Sequence, residues 1–117
     1  MLFLVAIHRP QGFDHAANLG PEVRAAIDAV NDEMVAAGAR RFVGGLRDQA
    51  SATSLLRDDA GSITPSEGAF LQASHYVDGV WILDCADQSE ATEWGRKAAA
   101  ACGGSVEVRA FAGAKFD

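Results

Sequence analysis

The chain has 117 residues, of which 49% are hydrophobic and 22% charged, and its formal net charge is −6. This length fits a single domain, residues 1–117, large enough to bury a core without metal or disulfide staples. The acidic balance argues against a phosphate-binding surface, because nucleic-acid binders carry basic patches and the local basic cluster here is only Arg40-Arg41.

Leu2-Phe3-Leu4-Val5-Ala6-Ile7 is short and continuously apolar, as expected of a central strand covered on both faces. Arg9 and Pro10 end the run, so it is too short for a membrane span, and it lacks the charged start and cleavage site of a signal peptide. No membrane partner is expected, and the expected location is cytoplasmic. The stretch from Arg9 to Gly20 holds Pro10, Gly12, Asp14 and Asn18 and reads as a loop.

Pro21 suits the first position of a helix and Glu22 its first turn. Val23, Ile27, Val30 and Met34 make one apolar stripe, and Gly38 is the predicted stop. Arg41 to Leu46 reads as a second strand whose paired Gly44-Gly45 predicts a bulge or a close approach. Residues 52–57 and 62–64 flank Asp58-Asp59-Ala60-Gly61, which predicts a hairpin.

Tyr76 to Asp84 is the next strand. Asp87 is the expected cap of a second helix, with Glu90 placed for a capping box. Ala91, Trp94, Ala98 and Ala101 share one face of it, and Gly103-Gly104 ends it. Val106 to Phe111 alternates as a last strand. Cys85 and Cys102 then lie at opposite ends of that helix, on the order of 20 Å apart. A disulfide needs Cα atoms within about 7 Å, so both are expected as free thiols in a reducing compartment.

The order strand, helix, strand, hairpin, strand, helix, strand is an α+β, ferredoxin-like βαββαβ arrangement with an inserted β-hairpin. Two helices cover one face of an antiparallel sheet. The other face needs a cover, and a second copy of the sheet is the simplest one, which predicts a homodimer paired sheet to sheet.

These landmarks resemble the YCII-related family, and within it the DGPF-domain proteins. The residues that carry the resemblance are Asn31 to Gly38, Val43-Gly44-Gly45-Leu46, Glu67-Gly68-Ala69-Phe70, Gly79-Val80-Trp81 and Glu90-Ala91-Thr92-Glu93-Trp94. Glu67-Gly68-Ala69-Phe70 falls where the namesake Asp-Gly-Pro-Phe motif lies, keeping its Gly and Phe. The first-helix histidine of some relatives is Ile27 here. The resemblance implies the dimeric α+β barrel superfamily. It also implies a bacterial, non-catalytic small-molecule-binding or transcription-associated accessory module. The alternative is a lyase or isomerase acting on a small organic acid or lactone, by histidine and carboxylate acid–base chemistry in a cleft near the dimer interface.

For that alternative the catalytic candidates are His8, Glu67 and His75. His8 closes the first strand, where side chains border clefts, and histidine titrates near neutral pH. His75 precedes Tyr76 and is placed to meet Glu67 or Asp78. His15 lies in the loop and is assigned no role. Trp81 and Phe70 are the ligand-binding candidates. The competing reading puts Trp81 in the core and makes Phe70 the core anchor of a turn at Gly68. The histidines lack the paired spacing of a zinc site, and Gly44-Gly45 is not a nucleotide loop. No metal and no cofactor are expected.

Overall fold

The computed structural model describes residues 1–115. The elements in chain order are β1 (Leu2–Pro10), α1 (His15–Asn18), α2 (Pro21–Ala36), β2 (Arg40–Gly45), a 3-10 turn at Gln49–Ser51, β3 (Thr53–Arg57), β4 (Ile63–Glu67), β5 (His75–Asp84), α3 (Gln88–Cys102) and β6 (Ser105–Ala110). Four strands form one sheet in the order β2-β5-β1-β6, with every neighbouring pair antiparallel. That is the ferredoxin-like α+β arrangement, and the long helices α2 and α3 pack together on one face of the sheet. Strands β3 and β4 form a separate two-stranded ribbon.

Local chemistry fixes the element ends. Pro21 opens α2, and α3 opens on Asp87, whose carboxylate accepts from Glu90 N at 2.9 Å. The Glu90 carboxylate reaches back one residue beyond the cap, to Ala86 N at 2.7 Å. The expected stops, Gly38 and Gly103, both have positive φ, 70° and 67°. The expected loop after β1 contains the short helix α1, capped by Asp14 through Ala17 N.

The core lies between the helices and one face of the sheet. Phe3, Val5, Trp81 and Leu83 point into it from β1 and β5, and Val30, Met34, Ala91 and Ala98 meet them from the helices. Trp81 sits in this layer because alternation along β5 puts it on the face shared with Leu83. Its ring nitrogen donates to Asn31 Oδ1 at 2.9 Å, so the buried indole is satisfied. The opposite face carries Leu4, Val80, Ile82 and Phe42, paired across β1, β5 and β2. Among the described residues, no helix or further strand packs broadly over it. Phe42 on this face is exposed.

The ribbon stands off this body. Its register pairs Thr53 with Glu67, Leu55 with Pro65 and Arg57 with Ile63, so one face mixes Leu55, Ile63 and Pro65 with Thr53, Arg57 and Glu67. The radius of gyration is 16.0 Å, against about 13 Å for a compact domain of this length.

Candidate functional site

Two clefts open at the end of the sheet where β1 finishes and β5 begins, one on each face. The first lies on the face away from the helices and has a volume of about 780 Å³. His8 enters it from β1 beside its register partner Val77, and His75 enters at the start of β5. Residues 46–52 and 69–76 supply the rest of the wall. Leu46, Ala69, Phe70, Leu71, Ala73 and Val77 make it mainly apolar. Gln11 ties the two wall segments together. It exchanges side-chain hydrogen bonds with Gln49, at 2.9 and 3.2 Å, and donates to Ala73 O at 3.0 Å.

The polar groups of this cleft are few. His8 faces Glu107 of β6, Nε2 to Oε1 at 3.8 Å. His75 Nδ1 lies 3.0 Å from Ser74 Oγ. Burial raises the Tyr76 phenol above its ordinary pKa, and Asp78 adds to the rise while Arg9 opposes it. The phenol therefore stays neutral and able to donate. Arg47 and Asp48 complete the polar lining, and among the described residues Arg47 makes no ion pair.

Of the residues singled out in the sequence, His8, His75 and Phe70 meet at this cleft. Phe70 does so at its rim, 70% exposed, and does not anchor a turn in the core. The core under the helices is already filled by Trp81, Phe3 and Met34. Glu67 lines neither cleft. It is the last residue of β4, exposed and opposite Thr53 in the ribbon. Trp81 lines neither cleft either, because it faces the helices. Asp78 pairs with His15 and Arg9, not with His75.

That last pairing is a cluster the sequence reading missed. On the helix side, Arg9 is 3% exposed. Its Nη1 donates to Cys102 O, the end of α3, at 2.8 Å, and its Nε lies 3.5 Å from Asp78 Oδ2. His15 Nε2 contacts the other oxygen of Asp78 at 2.9 Å. The Phe13 ring lies between them, 4.3 Å from the Arg9 guanidinium carbon and 4.9 Å from the His15 ring centroid. A β-bulge makes the cluster possible. The register of β1 and β5 skips one residue between Gly79 and Val77, which turns Asp78 toward Arg9. Gly104 makes room, since a Cβ there would meet Arg9 Nη1 at 2.8 Å. The second cleft, about 560 Å³, is bounded by Arg9, Phe13, Asp14 and the end of α3. The available signal was two opposite charges on apolar strands, Arg9 closing one and Asp78 interrupting the other.

Among the described residues, no group of three or more His, Cys, Asp or Glu side chains is placed to hold a metal ion. No described helix is long and apolar enough to cross a membrane. No curated protein matches the chain. The model of the YCII-related domain matches residues 1–112. The chain therefore belongs to the YCII-related family, which its sequence motifs resemble.

Proposed function

We propose that this chain is a homodimeric small-molecule-binding module whose ligand occupies the cleft between β1, β5 and residues 46–52 and 69–75. The observation that carries this reading is the cleft's composition: apolar walls with a few polar groups, the usual make-up of a small-molecule site. Arg47 on its wall offers a cation to an anionic group, with Asp48 of the lining and Glu107 beside His8 as the opposing charges. The ligand class is a small apolar molecule carrying a carboxylate. The uncovered sheet face with Leu4, Val80, Ile82 and Phe42 supports the pairing of two copies.

A second reading is catalysis on the same class of ligand, as a lyase or isomerase of small acids or lactones. It is favoured by two histidines on one cleft wall, with Glu107 behind His8. One experiment tests both readings. The protein is titrated with hexanoate, phenylacetate and γ-valerolactone, and amide and probe NMR signals are followed over time. Shifts confined to residues of the cleft, with the probe intact, support binding alone. Conversion of a probe that is lost in His8→Ala supports catalysis. Sedimentation at micromolar concentration is expected to give twice the chain mass. Probe shifts scattered over the surface would overturn the cleft assignment.

A further inference from the structure

The walls of the first cleft are irregular, and few bonds tie them to the sheet. Residues 46–52 bend through the 3-10 turn at Gln49–Ser51, and residues 69–74 run outside any helix or strand. Among the described residues, three hydrogen-bonding links anchor them. Leu46 N donates to Asp78 O at 2.8 Å, and Gln11 N donates to Ser74 O at 3.0 Å. The Gln11 side chain supplies the third, bonding Gln49 of one wall and Ala73 O of the other. A further bond, Gly68 N to Ala52 O, leads only to the ribbon.

Gln11 and Asp78 are thus the anchors, and the cluster on the helix side fixes both. Asp78 gives its carbonyl to the cleft wall and its carboxylate to Arg9 and His15, 3.5 and 2.9 Å away. Gln11 lies in the chain between buried Arg9 and Phe13, whose ring packs on the Arg9 guanidinium. We infer that the Arg9–Asp78–His15 cluster positions the ligand cleft from the other side of the sheet, with Gln11 setting the spacing of the two walls. The inference rests on the cleft reading above, and it adds which residues outside the cleft govern its affinity. Gln11 and His15 lie outside the cleft's lining. They are positioning residues, acting through Gln49, Ala73 and Leu46. Leu46 carries the effect to the ligand, because the next residue is Arg47, the cation offered to a carboxylate. A wall already held in place loses less conformational freedom when the ligand binds, and this pre-organisation raises affinity.

Amide hydrogen exchange of the ligand-free protein tests the anchoring, and phenylacetate titration tests its consequence. Gln11→Ala is expected to speed exchange about tenfold at Ser51 and Ala52, whose amides close the turn beside Gln49. His15→Ala is expected to speed exchange at Leu46 about threefold. His15→Gln keeps a donor for Asp78 and is expected to restore the wild-type rate. Trp81 and Leu83, on the core part of β5, keep their rates in every variant. Phenylacetate is expected to bind about tenfold more weakly to Gln11→Ala and about threefold more weakly to His15→Ala. Wild-type exchange of the wall amides in both alanine variants overturns the inference. Equal acceleration at Trp81 and Leu83 also overturns it, because the cluster would then support the whole body and not the cleft. Local acceleration with unchanged phenylacetate affinity overturns the positioning role. Local acceleration in a protein whose wild type binds none of the probes refutes the cleft reading and leaves the anchoring of the walls standing.

Discussion

Trp81 and Leu55 are both large apolar residues on strands, yet Trp81 is 2% exposed and Leu55 is 66% exposed. The difference lies in what is placed over them. Two long helices cover one face of the four-stranded sheet, and alternation along β5 sends Trp81 into that layer. The ribbon alternates just as regularly, but among the described residues no other strand or helix packs broadly on the face that carries Leu55 and Ile63. Strand periodicity tells which side chains go together. It does not tell whether their side is covered.

The sharpest way to break this comparison is to truncate both residues. Trp81→Ala is expected to cost about 3–5 kcal/mol, with the Asn31 amide losing its partner as well. Its urea midpoint should fall equally at every protein concentration. Leu55→Ser, at an exposed position of the ribbon, should change stability by less than about 0.5 kcal/mol. A large, concentration-independent loss in Leu55→Ser would mean that the ribbon is part of the body.

The two clefts sharpen the comparison between the faces of the sheet. Arg9→Met removes a buried donor from Cys102 O and separates Asp78 from its buried partner. A loss of about 1–3 kcal/mol is expected in denaturant unfolding. His8→Ala, at a half-buried site with a long pairing to Glu107, should change stability by less than about 0.5 kcal/mol. Equal losses would show that the face away from the helices is as tightly organised as the core.

Titration gives smaller effects. Burial, with Glu90 and Asp84 adding to it, pushes the Cys85 thiol up to about 11. The folded state holds that proton longer than the unfolded chain does. The contribution is therefore complete below the ordinary thiol range, and it is lost as pH rises from there through about 11. Cys85→Ala should flatten this alkaline decline. The native thiol should react slowly with iodoacetamide near pH 8 and quickly once unfolded.

The smallest effect is at Asp84. The hydrogen bond from Arg41 and then the N-terminal ammonium hold its carboxyl below the ordinary carboxylate value. This stabilisation is present above the unfolded value and lost as pH falls through the lower folded one. Arg41→Met should reduce the acid sensitivity slightly, as seen in melting curves below pH 4.

Much of the frame was readable because its signals are local. The stripe Val23, Ile27, Val30, Met34 marked α2, and Asp87 with Glu90 marked the start of α3. Both elements stand where these residues put them, since capping and periodicity act within a few residues along the chain. The hairpin at Asp58 to Gly61 was visible for the same reason, although β4 runs on to Glu67. The site was only partly readable. His8 and His75 could be named as strand-end residues, and they do reach one cleft. Phe70 reaches it by lying on the rim, where sequence alone could equally have made it a core anchor. Glu67 is carried off by the ribbon, because its place depends on where β4 pairs and not on its own neighbours.

What the sequence by itself determined is the main strands and the two long helices in their order, and with them the ferredoxin-like sheet, while its short motifs carried the resemblance to the YCII-related family. The elements follow from propensity, caps and periodicity, which each segment carries within itself. Only the tertiary structure decided that Arg9 is buried, that Asp78 serves His15 instead of His75, and that Trp81 faces the helices. Each of these depends on register between strands far apart in the chain. A single skipped residue between Gly79 and Val77 is enough to move a carboxylate from one partner to another.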